Sequence, residues 1–326
     1  MAEIAVIIVN YGAADLAVQA VQSVLDHDHP GHAVHVHVVD NASPGDDALR
    51  LARAAEARGW GGRVTLRPEA VNNGFGRGNN LVLEALAAGD APPDYVFLLN
   101  PDAMLENEAV AILADFLDAH PRAAVAGARA RNPGGAGPAT AAFRFPNLGD
   151  VLAAAVNVGP LTRLLARHRV PLAPDLPTGR VDWVSGAAVM ARLAVWRDLG
   201  FFDPAYFLYY EEVDLMLRCA RAGWECWHVA EARVVHVEGA STEVRSSELE
   251  RRRPAYWYHS WQYYFRRNHG RAYALAAAAA WTGGGALGHA LARARGRPSP
   301  VPARFFADVW AGGWRPLLGL PPGARR

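Results

Sequence analysis

Tyr95-Val96-Phe97-Leu98-Leu99-Asn100-Pro101-Asp102 is an uninterrupted apolar run that delivers a carboxylate to its exit. A run apolar on both faces reads as a strand buried in a parallel sheet, and Pro101 forbids further ladder pairing. Asp102 therefore stands at the carboxyl end of a buried strand, the edge where open α/β sheets bind ligands. A hard oxygen ligand at that edge suits Mg²⁺ or Mn²⁺ bridging a diphosphate. Alone, the stretch is better explained as an ordinary Pro-Asp turn, and it is the surrounding motifs that overturn that reading.

Outward from it, apolar runs at residues 4–10, 34–40, 64–67, 95–100 and 123–128 alternate with helical patterns at 14–25, 47–58, 79–88 and 108–117. This βαβ punctuation predicts a mainly parallel sheet flanked by helices. Residues 131–142, rich in Gly and Pro, read as a loop. A short helical connection, a second apolar group at 181–191, an acidic helix at 211–222 and two short strands at 225–229 and 233–237 complete residues 1–240. Residues 241–326 read as a helical, basic-aromatic appendage: Arg251, Arg252, Arg253, Arg266, Arg267 and Arg271 are interleaved with Tyr256, Trp257, Tyr258, Trp261, Tyr263, Tyr264 and Phe265. The Ala- and Gly-rich stretch 273–291 is too weakly apolar to span a bilayer. Two readings stay open for it: a helix at an anionic membrane surface, or one packed on the core. The tail from Pro298 reads as irregular.

Half of the 326 residues are apolar, which excludes wholesale disorder, and the formal charge of +1 gives no electrostatic footprint for nucleic acid. All 33 basic residues are arginine, a bias from which no chemistry follows. Cys219 and Cys226 form neither a disulfide framework nor a zinc-ribbon spacing. The chain enters its first strand directly, without a basic leader, so a cytoplasmic location is expected. His27, His29, His32, His35 and His37 match no acid-histidine ligand spacing and receive no role.

Several polar groups share the edge of Asp102. The first strand ends in Asn10-Tyr11-Gly12 and the second in Asp40-Asn41-Ala42-Ser43. Asp40 can accept from a base imide or a ribose hydroxyl, or can cap the next helix. In Asn72-Asn73-Gly74-Phe75-Gly76-Arg77-Gly78-Asn79-Asn80, three glycines let the backbone approach an anion before a helix opens. Glu211, Glu212 and Asp214 crowd a helix start after Phe207, Tyr209 and Tyr210, where a partly desolvated carboxylate makes a general base. Dipole complementation and an Asp214 to Arg218 pair account for Asp214 but not for aromatic residues abutting the acids. His236 closes a short apolar strand.

In this order, these motifs resemble the nucleotide-sugar half of a family 2 glycosyltransferase of GT-A (Rossmann-like) fold, with most likeness to bacterial rhamnosyltransferase-type members. The resemblance covers about residues 4–241. It implies base recognition at Asp40, a metal-diphosphate ligand at Asp102 with help from His236, and a catalytic base at Glu212. Asn100 stands where many relatives carry the first acid of a D-x-D motif. The segment 182–188 with Arg192 resembles the acceptor side of the family, and Tyr264-Phe265-Arg266-Arg267-Asn268-His269-Gly270 resembles its C-terminal segment. The residues expected to line the ligand site are Asn10, Tyr11, Asp40, Asn73, Gly74, Gly76, Gly78, Asn79, Asn100, Trp183, Gly186, Glu211 and Asp214. The implied activity is inverting, metal-dependent transfer of one sugar, with dTDP-rhamnose the first guess, to a cell-envelope glycan or lipid-linked acceptor at the inner face of the membrane. No Q-x-x-R-W motif occurs, which disfavours a processive synthase. The alternatives are a sugar-nucleotide pyrophosphorylase and a catalytically silent glycan-binding scaffold.

Overall fold

The computed structural model describes residues 1–135, 137–151, 169–237, 252–299 and 301–321. Its contacts divide the chain into two units: Met1–Phe143 with Pro171–Pro204 and Glu211–Glu243, and Arg144–Val170 with Ala205–Tyr210 and Val244–Arg326. The expected boundary between residues 240 and 241 falls outside the described residues, as do Arg251 and the stretch Glu238-Gly239-Ala240-Ser241.

The first unit is an α/β layer. Its strands are β1 (Ala2–Asn10), β2 (His32–Asp40), β3 (Val64–Pro68), β4 (Tyr95–Leu99), β5 (Ala103–Leu105), β6 (Ala123–Arg131), β7 (Ala142–Phe143), β8 (Gly179–Val181), β9 (Trp183–Val184), β10 (Ala188–Arg192) and β11 (Glu225–His236). The flanking helices are α1 (Ala14–Leu25), α2 (Asp47–Ala57), α3 (Gly74–Ala87), α4 (Ala109–Ala119), α5 (Leu193–Asp198) and α6 (Glu211–Arg221). The main sheet runs β3-β2-β1-β4-β10-β6-β11-β5, with β8 also on β11. β3, β2, β1 and β4 pair in parallel, and β10 is antiparallel to both β4 and β6. Since β11 is parallel to β6, six of the nine strands point the same way and β10, β5 and β8 oppose them. Every β4 residue is buried, as a central strand covered by helices on both faces requires. A second, two-stranded sheet pairs β7 with β9.

One consequence of the strand directions positions the site. Parallel strands bring their carboxyl ends to one edge, and an antiparallel strand brings its beginning there. Asn100 N–H donates to the carbonyl of Ala187 (2.8 Å), so the segment ahead of β10 arrives beside the exit of β4. Nearby, Phe143 and Pro171 form an antiparallel bridge that pins both ends of the excursion 144–170.

Three expectations are corrected. The helix expected over 79–88 begins at Gly74, because its glycines are sites of close packing. The two strands expected at 225–229 and 233–237 are one, β11, broken only by a register shift between Val229 and Arg233. The tail from Pro298 includes helical turns at Phe305–Asp308, Val309–Trp314 and Arg315–Leu317.

The second unit is built on α7 (Ala255–His269) and α8 (Arg271–Ala294). Tyr258, Trp261, Tyr264 and Phe265 of α7 are buried, and Ala274, Ala277 and Ala278 of α8 are fully enclosed. These four rings form the unit's interior, with Trp261 and Tyr258 packed on Trp281, while Tyr256, Trp257 and Tyr263 are half-buried. No helix among the described residues is long and apolar enough to cross a membrane. Tyr209 and Tyr210 both adopt left-handed backbone (φ +68° and +72°), a strain of about 1–3 kcal/mol each for such residues. Their rings are held against Tyr256 and Trp257.

Candidate active site

The ends of β1 and β2 are tied to each other. Asn10 and Asp40 are register partners, and Asn10 Nδ2 donates to Asp40 Oδ1 (3.0 Å), Ser43 Oγ (3.2 Å) and Asp47 Oδ2 (3.1 Å). Ser43 also donates to Asp40 Oδ1, while Asp40 Oδ2 takes no hydrogen bond from the described residues. Asp47, absent from the sequence-derived set, is buried here and accepts the Ala14 N–H at the start of α1 (3.0 Å). The signal for it was the register that places Asn10 over the β2 exit. Tyr11 is 44% exposed beside this node.

Asn41 organises the entry to α3: its Nδ2 donates to Asn72 Oδ1 and the Gly74 carbonyl, and its Oδ1 accepts from Asn73 N–H (2.9 Å). Gly76 and Gly78 lie inside the helix rather than in a loop. A Cβ at Gly76 would come within 3.0 Å of Phe202 and 3.4 Å of the Glu211 Cβ, and one at Gly78 within 3.0 Å of Val9. Their expected role, opening a loop to an anion, is therefore replaced by close packing of α3 on β1 and α6. Asn79 Nδ2 donates to the Phe75 carbonyl, while its buried Oδ1 has no hydrogen-bond partner among the described residues. Gly186 abuts Phe75, whose ring lies 3.2 Å from where a Cβ would stand. Trp183 stacks on Phe143 (centroids 4.1 Å, 13°).

Arg192 is corrected outright. It ends an antiparallel strand, pairs in register with Tyr95 at the opposite edge of the sheet, and donates to the carbonyls of Ala123 and Leu117. It clamps the scaffold.

Asp102 and His236 meet. The Val237 N–H donates to the Asp102 carbonyl (2.9 Å), and Asp102 Oδ1 lies 3.3 Å from His236 Nε2. The parallel course of β11 brings His236 to that edge. Two cis ligands of an octahedral cation at about 2.1 Å stand about 3 Å apart, so this pair fits joint ligation. No group of three or more His, Cys, Asp or Glu able to hold a metal occurs among the described residues. A two-ligand set suits a cation completed by water and diphosphate oxygens.

The start of α6 holds the three acids. Asp214 is fully buried and pairs with Arg218 Nε (2.9 Å), whose terminal nitrogens hold the carbonyls of Leu199 and Phe201. Through Arg218 it braces the turn into α6. Glu211 is buried with its Cβ facing Gly76. Glu212 is half-buried, and its Oε2 is enclosed without a hydrogen-bond partner among the described residues. Burial pushes its carboxyl above the ordinary 4.5, against a smaller opposing pull from the N–H groups of Glu212 and Val213.

Residues 2–259 match the family described as "Glycosyltransferase like family 2". The chain belongs to glycosyltransferase family 2. Among family relatives, N-acetylglucosaminyl-diphospho-decaprenol L-rhamnosyltransferase of Mycobacterium tuberculosis (strain CDC 1551 / Oshkosh) is 32% identical over 191 residues, 55% of this chain and 60% of that one. Rhamnosyltransferase WbbL of Escherichia coli (strain K12) is 24% identical over 165 residues, 50% of this chain and 60% of that one. The chain thus spans 60% of the length of these curated relatives. Among solved structures, the mannosyltransferase PcManGT from Pyrobaculum calidifontis, in complex with GDP-Man and Mn2+, aligns with TM-score 0.55 at 17% identity, covering 97% of this chain and 80% of that one. GalNAc-T7 with UDP, GalNAc and Mn2+ aligns with TM-score 0.56 at 14% identity, covering 83% and 51%. The mixed sheet and its helices are thus the GT-A fold of this family.

Proposed function

We propose that this family 2 chain transfers one sugar, with inversion, from a nucleotide-sugar donor to a lipid-linked or glycan acceptor. The observation that carries the reading is Asp102 against His236 at the sheet edge, in a chain whose α6 starts with an enclosed carboxylate, Glu212. Asp40, oriented by Asn10 and Ser43, offers its second oxygen to the base or ribose of the donor. Asn79 Oδ1 offers a further buried acceptor. Glu212, its carboxyl made more basic by burial, takes the proton from the acceptor hydroxyl as that oxygen bonds to the anomeric carbon. The bond from that carbon to the diphosphate oxygen breaks, and the nucleoside diphosphate departs from the opposite face. When bound at Asp102 and His236, Mg²⁺ or Mn²⁺ would neutralise charge on the departing diphosphate. Trp183 and Gly186 shape the approach ahead of β10.

Residues 1–240 would carry donor binding and chemistry, and 241–326 would serve the acceptor. The two rhamnosyltransferase relatives make dTDP-rhamnose the first donor to test. The diphospho-decaprenol in the mycobacterial relative's name supports a lipid-linked acceptor. Exposed Phe306, Trp310, Leu318 and Leu320, with exposed Arg304, are the residues available for peripheral contact with an anionic bilayer. The deciding experiment measures which product leaves a labelled nucleotide sugar. A transferase releases nucleoside diphosphate only with acceptor and divalent metal present, a pyrophosphorylase instead consumes added pyrophosphate to give nucleoside triphosphate and sugar 1-phosphate, and a scaffold does neither.

A further inference from the structure

Arg253, immediately before α7, lies flat on aromatic rings of its own unit. Its guanidinium carbon is 4.1 Å from the Trp257 centroid and 5.6 Å from that of Trp281. Its Nε is enclosed and has no hydrogen-bond partner among the described residues, and the same holds for the hydroxyl of Tyr258, which stacks on Trp281. The charged neighbours do not complete it. Asp308 is engaged by both Nε and a terminal nitrogen of Arg252, each at 2.9 Å. The other groups acting on Arg253 are the phenols of Tyr210, Tyr258 and Tyr209.

Arg253 is half-buried with its Nε enclosed, and contact with ring faces recovers only part of what a partly desolvated guanidinium gains from a counter-charge. Arginine cannot relieve the cost by losing its proton. What remains is a planar fork of donors, backed by indoles and flanked by a buried hydroxyl. That arrangement suits bidentate recognition of a phosphate oxygen pair. Burial also raises the Tyr258 phenol to about 12, so its hydroxyl stays a donor.

We propose that Arg253, seated on Trp257 and Trp281 beside Tyr258, is the centre of a phosphate-binding site in the second unit that takes the phosphate or diphosphate ester of the acceptor. The phosphate chemistry follows from these residues; its assignment to the acceptor rests on the transferase reading above.

The test titrates the full-length protein with inorganic pyrophosphate and with farnesyl diphosphate in EDTA, by calorimetry and thermal melts. Parallel arms use vesicles of phosphatidylglycerol and of phosphatidylcholine. Both soluble diphosphates are expected to bind wild type and Asp102→Asn alike, to lose at least tenfold in affinity in Arg253→Met, and to lose less in Arg253→Lys, which keeps the charge without the fork. If Arg253→Met does not fold, Tyr258→Phe retains the ring and is expected to weaken binding severalfold. Wild-type affinity in folded Arg253→Met, in Tyr258→Phe when that is the variant used, or no binding by the wild type, would overturn the site. Loss in Asp102→Asn instead would move the anion to the donor edge. Arg253-dependent binding to phosphatidylglycerol vesicles with none to the soluble diphosphates would assign the site to bilayer headgroups and overturn the acceptor assignment. Because the titration uses no turnover, a failed transfer assay leaves this result standing, and the reverse.

Discussion

Glu212→Gln should separate chemistry from folding. The amide keeps the shape of the side chain and cannot take a proton, so transfer should fall by about a hundredfold to ten-thousandfold, the usual contribution of a general base. Stability should move the other way. The Glu212 pKa is raised in the folded chain, so the stability tied to its protonated form is fully present below the unfolded value and is lost as pH rises through the folded one. Glutamine has no such loss. Above the raised value the variant should therefore melt at or above wild type, and the wild-type rate should climb as pH rises through that value. Asp214→Asn is the contrasting change. It removes the partner of Arg218 in a buried pair, at a cost of about 3–5 kcal/mol, or on the order of 10 °C in Tm for a chain of this size. The assay is nucleoside diphosphate release with donor, acceptor and Mn²⁺, alongside melts across pH. Wild-type turnover by Glu212→Gln, or a melt that collapses as Asp214→Asn does, refutes the base assignment.

Asp102→Asn should abolish Mn²⁺-dependent donor binding by calorimetry while leaving the melt intact; full activity of this variant in EDTA would remove the metal from the mechanism. Gly127→Ala should lower the melt, because its Cβ would fall 2.6–2.8 Å from the side chain of Val184, an overpacking worth about 1–3 kcal/mol. An unchanged melt counts against that packing. Asn80→Ala strips both partners from the backbone of Phe202, and each buried group left unpaired costs about 1–3 kcal/mol, again read by melting. Phe306→Ser with Trp310→Ser should reduce flotation on anionic vesicles in a salt-dependent way, and undiminished flotation would place membrane contact elsewhere.

Features that depend on one strand and its exit were legible in the sequence. The run ending in Asp102 is apolar on both faces, and among the alternating strands and helices around it that marks a central strand with its ligand edge. Asn10 and Asp40 follow from the same rule. Direction is another matter: β10 reads as apolar in either orientation, and only its antiparallel course sends Arg192 away from the site and brings Gly186 toward it. The three glycines of α3 look like a loop because glycine disfavours helix interiors; what admits Gly76 and Gly78 is contact with Phe202 and Val9, distant in sequence. In α7, rings interleaved with arginines look amphipathic at any register, and the burial of Tyr258, Trp261, Tyr264 and Phe265 depends on α8 and on the turns after residue 305. The left-handed Tyr209 and Tyr210 carry no local signal, since neither is Gly, Asn or Asp.

The bridge between Phe143 and Pro171 bears on how such chains diversify. Because departure and return are pinned at one point of the β7 region, the closure entropy of the excursion 144–170 depends only logarithmically on its length. Doubling it costs about 0.6 kcal/mol, less than one misplaced methyl in the sheet. Insertions and deletions there are close to neutral for the α/β layer, whereas an equal change between β4 and β5 would displace Asp102 itself. Relatives should accordingly differ more in length across this span than between β4 and β5.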